Sequence, residues 1–68
     1  MYKHLDCLNC GTMQDFRRVR WDAEKAAIRE ITGKRNVEDY WRCTRKGCLR
    51  FQRWTDKHDG GTLPVEFL

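Results

Sequence analysis

One proline in 68 residues, two histidines, and no internal repeat or low-complexity tract leave few of the usual landmarks. No apolar run approaches the roughly 20 residues that cross a bilayer, so a helical membrane span is excluded and no membrane partner is expected. The opening Met1-Tyr2-Lys3-His4-Leu5-Asp6 contains no apolar stretch of signal-peptide length. It predicts a cytoplasmic chain whose thiols are kept reduced. The length allows a single domain, and a chain of this size buries only about 60% of its unfolded surface. With a mean hydropathy of −0.88, a hydrophobic core alone is marginal and a staple is expected.

What the chain does have is eight aromatic residues, too many for a disordered segment, and four cysteines. The cysteines fall as two close pairs, Cys7/Cys10 and Cys43/Cys48, in the order C-x2-C, a gap of 32, then C-x4-C. Each pair can turn a tight knuckle that aims two sulfurs at one point, and two knuckles complete a tetrahedral all-sulfur shell. Gly11 and Gly47 flank the knuckles where a positive φ turns backbone N–H groups toward thiolate sulfur. One structural Zn2+ held by Cys7, Cys10, Cys43 and Cys48 is the reading taken. The competing readings are two disulfides in any of three connectivities, four unpaired thiols, or a rubredoxin-like iron site. A shell closed by four cysteines leaves no open position for an activated water, His4 and His58 read as surface residues, and no nucleophile stands beside either, so no enzymatic activity and no small-molecule substrate are expected.

Six of the fourteen basic residues lie between residues 41 and 57, beside one acid, Asp56. They are Arg42, Arg45, Lys46, Arg50, Arg53 and Lys57, interleaved with Trp41, Phe51 and Trp54. A second cluster, Arg17, Arg18 and Arg20, follows the first knuckle. Guanidinium groups bind phosphate and fork onto guanine edges, and an exposed tryptophan stacks on unpaired bases. The candidate binding face is therefore Arg18, Arg42, Arg45, Lys46, Arg50 and Arg53, with Trp54 as the stacking residue. Trp21, Trp41 and Phe51 are read as core, because a small domain needs aromatics inside first.

Alternation of apolar and polar residues predicts three short strands, over residues 12–21, 36–42 and 49–54. Between the first two, Asp22 to Gly33 predicts a helix over about 22–32. Asp22 is the N-cap, Gly33 the terminating glycine, and Ala27, Ile28 and Ile31 form an apolar stripe. The competing reading extends a strand through Ala26–Thr32. The fold class is a small metal-stabilised α+β domain: a three-stranded antiparallel sheet, two cysteine knuckles and one inserted helix, over residues 1–57. Residues 58–68 are expected as a partly extended tail, with Asp59-Gly60-Gly61 as a turn or flexible joint.

Cys7-Leu8-Asn9-Cys10-Gly11 and Cys43-Thr44-Arg45-Lys46-Gly47-Cys48, with Phe51 three positions on, resemble the two knuckles of the zinc-ribbon superfamily. The C-x2-C then C-x4-C order is similar to small phage late-transcription activators of the Ogr/Delta type. The resemblance covers roughly residues 5–55 and departs in the gap, which is longer by about the predicted helix. It implies a transcription-associated role, through DNA, RNA polymerase or both, and together with the basic face it predicts a small transcription regulator that binds nucleic acid, DNA before RNA. The alternative is a non-enzymatic adaptor or inhibitor that docks on RNA polymerase or another host machine through the same arginines.

Overall fold

A computed structural model describes all 68 residues. Five strands form one antiparallel sheet in the order β1-β2-β3-β4-β5: β1 (Tyr2–Cys7), β2 (Thr12–Arg18), β3 (Tyr40–Cys43), β4 (Arg50–Arg53) and β5 (Gly60–Thr62). One helix, α1 (Asp22–Thr32), joins β2 to β3, and a single 3-10 turn follows at Val65–Phe67. The α+β class and the single helix stand; the sheet has five strands where three were expected. No helix is long and apolar enough to cross a membrane.

The two additional strands lie at the sheet's edges, where sequence signals are poorest. β1 precedes the first knuckle and pairs along its whole length with β2, from Tyr2 opposite Arg17 to Cys7 opposite Thr12. β5 comes from the segment read as a flexible joint. Gly60 and Gly61 pair with Gln52 and Phe51 of β4, and a Cβ on Gly60 would collide with the Phe51 carbonyl oxygen and the Gln52 backbone. The strand approaches that closely because residue 60 has no side chain. Arg53 N–H donates to the Asp59 carbonyl and Leu63 N–H to that of Leu49, so pairing continues at both ends of β5. Gly60–Thr62 thus belong to the sheet, and Leu63 and Phe67 pack on its core, while Val65 and Leu68 stay exposed.

The helix spans the expected residues. Trp21, however, is the N-cap and makes no side-chain capping bond; Asp22 is the first helical residue. Gly33 terminates the helix at φ 71°, with its N–H bonded to the Arg29 carbonyl. Glu24 and Ile28, one turn apart, are the fully buried residues of α1, while Ile31 is half-exposed.

The sheet separates two cores. Val19, Ile28, Val37, Tyr40, Leu49, Phe51 and Leu63 form one, beneath α1, with Tyr40 edge-on to Phe51 at 5.6 Å. Cys7, Phe16, Trp41 and Cys43 form the other. The sheet curls around this second core. Gln52 of β4 donates to the Asp6 carbonyl of β1 at 2.8 Å, Lys57 reaches the Asp6 carboxylate at 2.7 Å, and Asn9 bonds Thr62 at 3.1 Å.

Candidate metal centre and basic groove

In an antiparallel meander, the β1–β2 and β3–β4 turns lie at the same end of the sheet. Cys7 ends β1 and Cys10 sits in the turn after it; Cys43 ends β3 and Cys48 sits in the loop before β4. Curling brings the two turns together, and the four Sγ atoms lie within 4.8 Å of one another. Gly11 at φ 72° and Gly47 at φ 84° supply the left-handed turns, with Gly11 N–H on the Cys7 carbonyl and Cys48 N–H on that of Arg45. The second knuckle is tied to β2, since both the N–H and the hydroxyl of Thr44 donate to the Asp15 carbonyl.

Cys7 and Cys48 sulfurs are 3.7 Å apart, and those of Cys10 and Cys43 4.0 Å. Neither is a disulfide, which needs about 2.05 Å, and all four cysteines are free. A tetrahedron of sulfurs around one ion at bonds of about 2.3 Å has edges of about 3.8 Å. The donor set and its spacing therefore fit one thiophilic ion. Burial pushes the Cys7 and Cys43 thiols up. For Cys10, burial also acts upward, but hydrogen bonds from Cys48, Cys7, Arg45 and Cys43 outweigh it and draw the thiol down. Four thiolates packed within 4.8 Å of one another repel, so full ionisation of the set calls for a cation at its centre.

The arginines expected on one face are distributed by the strand register. Arg50 is buried, its guanidinium bonded to Gln52 Oε1 at 3.1 Å and to the Lys57 carbonyl at 2.6 Å. Arg53 is held by Asp39 at 3.0 Å and by Asp59 at 3.4 Å. Arg42 bonds Glu24 and the Phe67 carbonyl, each at 2.7 Å. Arg18 lies on the other side of the sheet, its guanidinium 5.6 Å from the centroid of the Trp41 ring. Trp54 is half-exposed beneath Lys3 Nζ at 4.8 Å. Arg50 and Arg53 are thus taken up by internal contacts, because inward pointing and nearby acids are decided by pairing, which local composition does not report.

Arg42, Arg45 and Lys46 do come together, in a groove of about 460 Å3 that also contains Tyr2, Arg17 and Trp21. Tyr2 and Trp21 are 62% and 58% exposed. The Arg17 guanidinium lies 4.7 Å from the Trp21 ring centroid. Trp21 is therefore a surface residue and not core: β2 ends at Arg18, so the alternation read through residue 21 does not carry its side chain inward. Arg17 and Arg42 flank the buried Glu24 carboxylate at 2.5 and 2.7 Å. Burial would raise that carboxyl, but the two arginines hold it below its ordinary range.

Tyr2, Arg17 and Trp21 are groove residues outside the binding face expected from the sequence, which placed Trp21 in the core. The dipeptide Arg20-Trp21 just before a helix start was the available signal for an exposed Trp21, and no comparable signal marks Tyr2. His4 is exposed and pairs with Asp15 at 3.1 Å, apart from the sulfurs. No family model, no curated protein and no solved structure matches this chain.

Proposed function

We propose that the chain is a zinc-ribbon-like domain in which Cys7, Cys10, Cys43 and Cys48 hold one structural Zn2+, and that it binds single-stranded nucleic acid through the groove beside the second knuckle. The sulfur spacing supports a small thiophilic ion, and a closed tetrahedral shell of four thiolates is the usual donor set of structural zinc. When bound, it fixes the ends of two hairpins and supplies no reactive position. The observation that carries the binding reading is the exposed pair Tyr2 and Trp21 in one groove with Arg45 and Lys46, neither of which has an acidic partner. Flat aromatic surface stacks on unpaired bases while unpartnered cations follow the phosphates.

Elemental analysis should find one zinc per chain, and a strong chelator should abolish the folded circular dichroism spectrum. Fluorescence anisotropy of a labelled single-stranded oligonucleotide tests the groove. Trp21→Ala should weaken binding about tenfold or more, the size of one lost stacking contact, and reversal of Arg45 and Lys46 to glutamate should remove it. Absence of binding to single-stranded DNA and RNA at low salt would overturn the nucleic-acid reading and leave the protein-docking one.

A further inference from the structure

A second concentration of unpartnered charge lies on the opposite side of the sheet. Lys3 and Arg18 alternate with Tyr2 and Arg17 along β1 and β2, so they project from the other face. Together with Arg20, Val19 and Trp41 they line a cavity of about 580 Å3. Lys3 Nζ stands 5.3 Å and the Arg18 guanidinium 5.6 Å from the same Trp41 ring centroid. Neither cation, nor Arg20, forms an ion pair. The acid that lines the cavity, Glu38, is already bound to Lys25 at 3.2 Å.

The ring itself has an unmet requirement. Trp41 is 3% exposed, and its Nε1–H has no acceptor within the protein. Buried donors are nearly always satisfied, and those that are not call for an explanation. That donor is sealed below the ring surface, so what the cavity offers a ligand is its cations: two drawn to one ring with Arg20 beside them, all without an acid and together complementary to an oxyanion. Phosphoryl oxygens are strong acceptors for Lys, Arg and N–H donors together, and the cavity volume lies within the range of small-ligand sites.

We propose that the cavity of Lys3, Arg18, Arg20 and Trp41 is a binding site for a phosphoryl group, with Lys3, Arg18 and Arg20 neutralising the charge beside the Trp41 ring. The phosphoryl group can come from a free mononucleotide or from a nucleic-acid strand. The site shares no residue with the groove on the other face, so it stands or falls separately from the reading given to that groove.

The test follows the tryptophan indole N–H resonances of 15N-labelled, zinc-loaded full-length protein. Trp21→Phe and Trp54→Phe, both at half-exposed positions, identify the Trp41 signal by elimination. Titration with AMP, and separately with a short single-stranded oligonucleotide, should move that signal saturably. The double variant Lys3→Met/Arg18→Gln should weaken the effect about tenfold or more while the circular dichroism spectrum is unchanged. A response to AMP assigns a free phosphomonoester, and a response to the oligonucleotide alone assigns a strand phosphate; either supports the site. The Trp41 response to AMP should survive reversal of Arg45 and Lys46, which separates it from the groove. A Trp41 signal that ignores both ligands, moves equally with sodium chloride at matched ionic strength, or titrates identically in a folded double variant overturns the site.

Discussion

At the scale of single residues, the buried acid Glu24 controls more of the basic surface than any arginine does. It is 1% exposed and accepts from both Arg17 and Arg42, two cations that the groove would otherwise leave facing each other. Glu24→Gln keeps the shape but leaves two partly buried guanidinium groups without a counter-charge. The expected cost is roughly 3 kcal/mol, enough to lower the melting temperature by more than about 10 °C in a domain of this size. The arginines hold the folded carboxyl below its ordinary range, so its contribution is complete above the unfolded carboxylate pKa and is lost only as pH falls through the depressed value. The Glu24→Gln penalty, measured by denaturant titration, should accordingly be the same at about pH 6 and about pH 8. A penalty smaller at about pH 6 than at about pH 8 would mean that Glu24 titrates there. A cluster cysteine and the nearby exposed histidine also separate at this scale. Cys43→Ser removes a buried ligand of the sulfur cluster and should abolish stoichiometric zinc, whereas His4→Ala removes one exposed pair with Asp15 worth less than about 1 kcal/mol. Equal loss of zinc in the two variants would reassign the shell.

At the scale of elements, legibility followed how local the determining signal was. The helix was readable because strong helix formers fill Ala23–Ile31 and Gly33 ends the run, all within one stretch of chain. The knuckles were readable for the same reason: ligand spacing and adjacent glycines are local. β1 was not, because Lys3-His4-Leu5-Asp6 has no β-branched residue and only Leu5 as an apolar side chain, so its strand state comes from pairing with β2. β5 was not, because Gly60-Gly61 carries a turn signal in isolation; β4 makes it a strand by offering a free edge and a close approach. The binding residues were the least legible. Whether Arg50 points inward and Trp21 outward depends on register and on where β2 stops, both of which are properties of the assembled sheet. One consequence can be measured. Deleting residues 58–68 removes β5 and the buried Leu63, exposes the Phe51 side of the core, and strips Asp59 from Lys34, Tyr40 and Arg53. Burying one large aliphatic side chain contributes about 1.5–3 kcal/mol, a large fraction of what holds so small a domain. The truncated chain should fail to give protected β4 amides in hydrogen exchange even with zinc present. Protection matching that of the full chain would make the segment dispensable.

At the scale of the whole molecule, net charge is a poor guide to the partner. The formal +4 falls to about +2 once four thiolates surround a divalent ion. Arg17, Lys25, Lys34, Arg42, Arg53 and Lys57 are taken up in ion pairs. The long-range field is therefore weak, and any binding to phosphate must rest on the few cations left without acids. In the groove these are Arg45 and Lys46, together with the one surplus charge from Arg17 and Arg42 sharing Glu24. About three phosphate contacts on a single strand give a slope of about −2 in log K against log salt, so binding should fall by roughly 20-fold between about 50 and 200 mM. Neutralising the knuckle cations, with Arg45→Gln and Lys46→Gln, should weaken binding and flatten the slope to shallower than about −1. A slope near zero in the unaltered protein would leave stacking on Trp21 and Tyr2 as the sole contact and sever the link between the knuckle cations and the strand. A slope steeper than about −4 would exceed what the groove can supply, and would require Lys3, Arg18 and Arg20 on the far face to engage the same strand.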